Sequence, residues 1–298
     1  MINKYTILVA GGTGLIGSTL IPELKRQGHT VNILTRDARG RKNHFNWSPK
    51  EGKIDSKALE KVDIIINLAG TGIADKRWTE KRRKEIIDSR VKTTEFLFEV
   101  SKEISDLKQY ISASGINCYG YDSPERIHKE DDPFGTDFLS QVVEKWEASA
   151  DLFQAKCKVT KVRTATVLSD KGGALKIIGK TIKYYIGAPL GKGNQNVPWI
   201  SLTDIVNVYS HFVNRGIEGT YNALSGSITN KKLTVETAKV LNKPLWLPNV
   251  PAFVLKTVLG DMSSMVLKGL KADNSKLLAT GFAFEHQKIE DALKDIYS

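Results

Sequence analysis

The first half of the chain alternates short apolar runs with longer amphipathic stretches. Runs over Thr6 to Ala10, Val31 to Thr35, Val62 to Leu68, Tyr110 to Ala113 and Val159 to Val167 predict strands. Within the third, Asp63-Ile64-Ile65-Ile66-Asn67 is apolar without alternation, the pattern of a strand buried on both faces. The intervening stretches predict helices over Leu15 to Arg26, Thr79 to Lys102 and Asp137 to Gln154. In the second helix, Ile87, Val91, Thr94 and Phe98 fall on one stripe, with Lys and Glu opposite. Alternation of this kind implies right-handed crossovers and an α/β, doubly wound parallel sheet. Beyond residue 170 the texture changes: Gly172-Gly173, Gly187, Pro189 and Gly191-Lys192-Gly193 mark loop-rich chain, a strand-like Gly219 to Ala223 returns, and Pro244, Pro248 and Pro251 separate short helices. The expected division is a main domain over 1–170 and 199–224, and a smaller, mainly helical C-terminal lobe over 171–198 and 225–298, on the substrate side.

At 298 residues the chain fits one large domain or two coupled lobes, on a prior of about 150 residues per domain. Its 44 Lys+Arg against 33 Asp+Glu give +11. The densest stretch, Lys76 to Lys92, is a basic helix face, with no zinc finger or aromatic RNA-binding signature beside it. Attraction of phosphorylated small molecules fits better than nucleic acid, and no nucleic-acid partner is expected. Cys118 and Cys157 lack metal-ligand spacing, so neither a metal site nor a disulfide scaffold is expected, and a reducing, cytoplasmic setting fits. No run approaches the ~20 apolar residues of a membrane span, so no membrane partner is expected. The opening segment, glycine-broken and with one lysine, reads as folded core rather than a leader.

The first strand runs directly into Gly11-Gly12-Thr13-Gly14-Leu15-Ile16-Gly17, which opens the first helix. In this G-x-x-G-x-x-G spacing Gly11 permits a tight turn, Gly14 lets the backbone approach a pyrophosphate, and Gly17 lets helix and strand pack closely. The helix amino terminus offers free N–H groups to phosphate oxygens. Gly11, Thr13, Gly14, Leu15, Ile16 and Gly17 are therefore candidate cofactor contacts; a tight turn without ligand is the alternative. A P-loop is excluded, since Ser18-Thr19 follows where a lysine is needed. At the end of the second strand stand Thr35 and Arg36, with Arg39, Arg41 and Lys42 behind and Asp37 adjoining. A guanidinium there suits the 2′-phosphate of NADP over the hydroxyl of NAD, unless the segment is only a solvated basic loop.

Further motifs resemble the extended short-chain dehydrogenase/reductases: Asn67-Leu68-Ala69-Gly70, Arg77-Trp78-Thr79, Ser89-Arg90-Val91, Ser112-Ala113-Ser114 with Tyr119-Gly120, Trp146-Glu147, Arg163-Thr164, Trp199-Ile200 with Asp204, and Gly281-Phe282. In combination they are similar to an atypical branch called nucleoside-diphosphate-sugar epimerase-like, with a C-terminal segment of unassigned function. The resemblance covers essentially the whole chain. It implies a Rossmann fold with NADP bound, and Thr35, Arg36, Leu68, Ala69, Gly70, Glu85, Arg90 and Val167 match positions that contact the dinucleotide. Read by itself, Arg90 suits either a phosphate or a salt bridge one turn away, and Glu85 reads as a solvated helix acid.

The superfamily's usual engine is a serine plus Tyr-x-x-x-Lys. With Glu147 fixing the register, Leu139 and Val143 stand where tyrosine and lysine belong, and Lys145 is out of step. The remaining catalytic candidates are Ser114, as a hydrogen-bond donor to substrate, and Tyr119, as a replacement acid or else as a packing aromatic in a loop. Glu130 reads as a base or as part of a solvated turn, and His128 as exposed. Ser201 stands where related proteins commonly have histidine. Lys192 is a candidate phosphate contact or a chance lysine in a flexible loop, while Phe253, Met262 and Met265 read as core. The function implied is an NADP-dependent oxidoreductase or epimerase-like enzyme acting on a polar, phosphorylated or nucleotide-linked small molecule, as monomer or homodimer. The alternative is a non-catalytic NADP(H)-binding redox sensor or regulatory protein.

Overall fold

The computed structural model describes residues 3–121, 123 and 125–298; Met1 and Ile2, at the head of the opening segment, lie outside them. In chain order the strands are β1 (Thr6–Ala10), β2 (Thr30–Thr35), β3 (His44–Ser48), β4 (Lys53–Ile54), β5 (Ile64–Asn67), β6 (Gln109–Gly115), β7 (Ile127–His128), β8 (Lys158–Thr164), β9 (Thr166–Leu168), β10 (Asn196–Ser201), β11 (Gly219–Ala223), β12 (Gly226–Thr229) and β13 (Lys271–Ala272). The α-helices are α1 (Leu15–Arg26), α2 (Glu80–Ser101), α3 (Phe138–Asp151), α4 (Gly173–Lys183), α5 (Leu202–Arg215), α6 (Asn230–Val240), α7 (Ala252–Leu259), α8 (Ser264–Leu267), α9 (Ser275–Leu278) and α10 (Ile289–Tyr297).

The large sheet has the order β11-β8-β6-β5-β1-β2-β3-β4. All of its pairings are parallel except β3 with β4. From β1 the chain builds outward through β2 and β3, then returns to lay β5 on the other side of β1, so the topological switch lies between β1 and β5. In doubly wound sheets a crevice opens there, outside the carboxyl ends of the strands. Alternate residues of β1 serve opposite faces: Ile7 and Val9 join Leu20, Leu24 and Phe212 from α1 and α5, while Leu8 and Ala10 join Leu97 and Ala150 from α2 and α3. Both faces are covered, which is why β5 reads as an unbroken apolar run.

The C-terminal part is helical around a small sheet of order β12-β10-β9. Leu168, Trp199 and Ile228 of that sheet share a core with Leu175, Leu233, Ile289 and Leu293 of α4, α6 and α10. The strand expected over Val159 to Val167 is therefore two: it breaks at Ala165, and its end crosses into the small sheet. Likewise β10 pairs with β9 and β12, so an expected boundary at 199 falls inside a strand of the smaller lobe.

In α2 the apolar stripe is shifted from the expected one. Ile86, Arg90, Thr93, Thr94, Leu97 and Ser101 are buried, whereas Ile87, Val91 and Phe98 are only half-buried. Two arginines, Arg82 and Arg90, share the buried face, and a periodicity search for apolar residues passes over them. Asp137 is the N-cap of α3, accepting from the N–H groups of Leu139 and Ser140, and a 3-10 turn over Leu152–Ala155 replaces the helix's last expected turn.

Candidate dinucleotide cradle and adjoining pocket

Gly11 has φ +80°, and its N-terminal turn is closed by Gly14 N–H donating to the Gly11 carbonyl at 3.0 Å. A Cβ on Gly11 would lie 2.6 Å from the Leu68 carbonyl carbon, and one on Gly17 only 2.5 Å from the Gly11 oxygen. The loop thus packs against the end of β5 and against its own helix. Helix α1 opens without a capping side chain and without an acid in its first turn. The N–H groups of Leu15, Ile16 and Gly17 have no intrahelical acceptor by helix geometry, and Thr13 and Gly14 beside them are exposed. This is the donor set an anionic group needs.

At the end of β2, Thr35 is half-buried and Arg36 exposed. Asp37, the only acid adjoining it, is held by Arg39 at 2.6 Å, and Arg41 is spent on the Ala38 and Asp37 carbonyls. Arg36 has no hydrogen bond or ion pair among the described residues, which leaves its guanidinium free.

At the end of β5 the Asn67 side chain is fully buried. It donates to Thr94 Oγ1 and the Tyr110 hydroxyl and accepts from Ala69 N–H at 3.1 Å, fixing the turn that presents half-buried Leu68 and Ala69. A Cβ on Gly70 would meet Arg90 Cζ at 3.1 Å. Arg90 is 7% exposed, lies over the Trp146 ring and donates to the Ile86 and Thr71 carbonyls. No carboxylate pairs with it among the described residues. Desolvation, followed by the charge of Arg82, pulls its pKa down to about 10. The salt bridge one turn away does not form among the described residues; a buried cation of α2 lies against Gly70, two residues beyond the Leu68 carbonyl that the glycine loop meets. Glu85 stays exposed on α2, where its carboxylate pairs with Arg82 at 2.8 Å, which holds its pKa down. Val167 is half-buried in β9, and the loop after it packs Gly172 against Leu15, where a Cβ would come within 3.3 Å of Leu15 Cδ1.

The two candidate catalytic residues are both buried, Tyr119 as the packing aromatic of its alternative reading. Ser114 Oγ donates to Glu147 Oε1 at 2.5 Å. Arg163 grips the same carboxylate with Nε at 2.8 Å and Nη2 at 2.9 Å, and its Nη1 donates to the Tyr119 hydroxyl and the Glu130 carbonyl. The Tyr119 hydroxyl in turn donates to Asn222 Oδ1 at 2.7 Å, and its ring stacks on His128. Ser114, Tyr119, Glu147 and Arg163 are all at most 6% exposed. Burial raises the Tyr119 pKa, and both sides of its hydroxyl are taken. Tyr119 therefore is a network member behind the cleft rather than an acid poised over it. Glu130 is no solvated turn either: its carboxylate accepts the Asn222 N–H of the edge strand β11, an atom that would otherwise be buried without a partner. His128 is buried, not exposed, and leans on Asp132. Sequence separations of 16 to 103 residues hid this cluster.

A Ser/His/Asp group also forms in space, from Ser201, Asp204 and His286. Ser201 caps α5, Asp204 accepts the N–H groups of Glu285 and His286, and His286 Nδ1 meets Ser201 Oγ at 3.1 Å. All three are buried. The group fastens the C-terminal segment to α5, which gives it a structural role.

A pocket of about 200 Å³ lies against this framework. Its apolar wall includes Ile116, Ile178, Leu190, Val197, Met265 and Leu270, and its polar groups include Asn117, Tyr121, Thr166, Asn196 and Lys268. Thr166 adjoins Val167, and α4 supplies the wall nearest the glycine-loop helix, so cradle and pocket are neighbours. Met265, expected as core, lines the pocket; Met262 is core, and Phe253 is 71% exposed. Lys192 is exposed and outside the lining, where buried Gln195 from the same loop takes a place instead. Tyr121 is half-buried, and its hydroxyl has no hydrogen-bond partner among the described residues. It is the tyrosine that sequence spacing missed, because it fits no Tyr-x-x-x-Lys register; Leu139 and Val143, which do, are buried core of α3.

The model of the NAD dependent epimerase/dehydratase family matches residues 7–223, the span of the large sheet. The chain belongs to that family. A second model, a domain of unknown function (DUF1731), matches residues 250–296. The chain is 34% identical over 298 residues to the epimerase family protein YfhF of Bacillus subtilis, covering 97% of each. It is 32% identical over 298 residues to the mouse epimerase family protein SDR39U1, covering 97% of this chain and 99% of that one. The crystal structure of human SDR39U1 (isoform 2) with NADPH superposes with a TM-score of 0.89 at 30% identity, covering 98% of this chain and 99% of that one. UDP-N-acetylglucosamine 4-epimerase from Bacillus cereus shares the fold at a TM-score of 0.75 and 17% identity, covering 99% and 98%. The extended short-chain dehydrogenase/reductase reading and its Rossmann fold therefore hold, and the helical C-terminal part carries the second match.

Proposed function

We propose that this chain binds NADPH in preference to NADH and works as an oxidoreductase or epimerase-type enzyme on a carbonyl or hydroxyl group held in the pocket where the main domain meets the smaller lobe. The observation that carries the cofactor reading is Arg36: the guanidinium at the end of β2 is free while its neighbouring acid is already paired with Arg39. A 2′-phosphate meets a cation there, whereas a bare ribose hydroxyl meets no free carboxylate. The first-turn N–H groups of Leu15, Ile16 and Gly17 would hold the pyrophosphate, Thr35 and Arg36 the phosphorylated ribose, and Leu68, Ala69, Gly70, Arg90 and Val167 the remaining length. The human relative crystallised with NADPH supports the same choice.

When bound, the nicotinamide supplies or accepts the hydride. The chain's part is to position the substrate and manage one proton. Tyr121, with a free hydroxyl in the pocket lining, donates to the substrate oxygen; burial raises its pKa, so it stays protonated and serves as donor rather than base. Asn117 lines the same pocket and offers amide donors. Lys268 is the one cation among the described lining residues, which favours a substrate with an apolar body and one anionic group over a nucleotide diphosphate. Ser114 and Tyr119 hold the framework behind the site.

The test uses NADPH deuterated at the nicotinamide C4 with a panel of carbonyl compounds, including aliphatic ones and a UDP-keto-sugar. Deuterium in an aliphatic carbonyl's product supports the reading. Tight NADPH binding with no transfer across the panel would replace it with the redox-sensor alternative.

A further inference from the structure

The smaller lobe exposes apolar side chains in a way the rest of the surface does not. Of the ten large hydrophobic residues that are exposed among the described residues, seven fall in two segments: Ile177, Tyr184, Tyr185 and Ile186 on and after α4, and Trp246, Phe253 and Val258 before and on α7. Ile177 is 65% exposed, Trp246 67% and Phe253 71%. Helix α7 buries only Leu255. The two segments are clasped together: Lys243 Nζ donates to the Tyr185 hydroxyl at 2.8 Å, and Leu190 and Val250 form a bridge with Gly191 N–H on the Val250 carbonyl. The pocket lies beside them, for Ile177 is both exposed and part of its lining, and Met265 and Val266 of α8 follow α7 after a four-residue 3-10 turn.

Charge completes the picture. Residues 171–198 carry Lys171, Lys176, Lys180, Lys183 and Lys192 and not one Asp or Glu. All five lysines are exposed, and none forms an ion pair among the described residues. A face of unpaired lysines interleaved with isoleucine, tyrosine and tryptophan has the composition of an amphipathic surface that lies in a lipid headgroup layer. A second copy of the chain is a poor partner, because closure would bring one set of five lysines against another.

We propose that the smaller lobe docks peripherally on an anionic lipid bilayer, through Ile177, Tyr184, Ile186, Trp246 and Phe253 ringed by the lysines of α4, with the pocket mouth turned to the membrane. The expectation of no membrane partner rested on the lack of a spanning run, and a surface-lying lobe needs none. This docking does not depend on the NADPH reading, though together they give the enzyme access to membrane-dissolved carbonyl compounds.

The experiment is co-sedimentation of the full chain with vesicles of phosphatidylcholine alone and of phosphatidylcholine with phosphatidylglycerol, alongside gel filtration. Binding to the anionic vesicles, weakened by salt, is expected. Trp246→Ser and Phe253→Ser should each reduce it about tenfold, and Lys180→Gln about fivefold, the equivalent of ~1 kcal/mol per lysine near such a surface. All three side chains are exposed, so melting temperatures should not move. Absence of binding to anionic vesicles at low salt overturns the proposal. So does binding that the two apolar substitutions leave intact, which is charge attraction alone, or a wild-type dimer that those substitutions turn into monomer, which makes a second copy the occupant.

Discussion

Arg163→Met tests whether Ser114 and Tyr119 belong to a structural ion-pair shell. In the wild type, Arg163 makes two hydrogen bonds to Glu147, one to the Tyr119 hydroxyl and one to the Glu130 carbonyl, with both charged partners about 4% exposed. Methionine fills much of the volume but supplies no donor. Glu147 keeps only the Ser114 hydroxyl, so a buried carboxylate loses its counter-ion. Breaking a buried pair from one side costs about 3–5 kcal/mol. In a chain this large each kcal/mol moves the melting temperature by roughly 2–4 °C, so a drop on the order of 10 °C is expected in differential scanning calorimetry. The double variant Arg163→Met/Glu147→Leu removes the orphaned charge as well and should recover at least about half of that loss, since the two residues act as one unit. NADPH affinity should change little in either variant, because neither side chain is in the cradle. A single-variant loss below about 1 kcal/mol, or a double-variant loss equal to the sum of the singles, would refute the reasoning.

Further expectations follow from the same geometry. Tyr121→Phe should lower turnover by about 10²-fold or more with stability nearly unchanged, whereas Tyr119→Phe should cost about 1–3 kcal/mol of stability through the partners it leaves unpaired and spare turnover; the reverse pattern would restore Tyr119 as the acid. Gly17→Ala places a methyl 2.5 Å from the Gly11 oxygen and should weaken NADPH by roughly tenfold through the displaced loop, as read by titration calorimetry. Burial lowers the pKa of both His29 and His211 below the ordinary 6.5. The unfolded chain then takes up protons first as pH falls through that value, so stability should decline from about pH 7 toward pH 5.5 rather than stay flat, and thermal melts across that range check it.

Much of the fold was legible because it depends on local regularities. The unbroken apolar run of β5, the G-x-x-G-x-x-G turn and the amphipathic α1 each announce themselves within a dozen residues. What was lost depends on distant contacts. The break at Ala165 is invisible in an apolar run because it is caused by a second sheet drawing β9 toward β10. The buried stripe of α2 was misplaced because two of its members are arginines, and only the tertiary structure shows Arg90 packed on Trp146 and against Gly70. The glycine loop was readable because its turn, close approach and helix start follow one another directly in the chain, whereas Leu68, Ala69, Arg90 and Val167 were named only through the family resemblance. The Arg163 cluster was not, for it joins β6, α3, β8 and β11 through side chains far apart in the chain. Tyr121 and Met265 were missed for a related reason: lining a pocket is a property of how two lobes meet, and no spacing within either lobe records it.

Isothermal titration of the wild-type chain and of Arg36→Ala with NADPH and NADH tests the central claim most directly. Arg36 is exposed and has no partner among the described residues, so the substitution leaves the fold alone and removes one charge-assisted contact, which is worth about 1.5–3 kcal/mol. NADPH should bind the wild type more tightly than NADH, and Arg36→Ala should lose about tenfold or more in NADPH affinity while NADH affinity barely changes. Equal losses for both dinucleotides would show that Arg36 does not read the 2′-phosphate, and no binding of either would contradict the cradle itself.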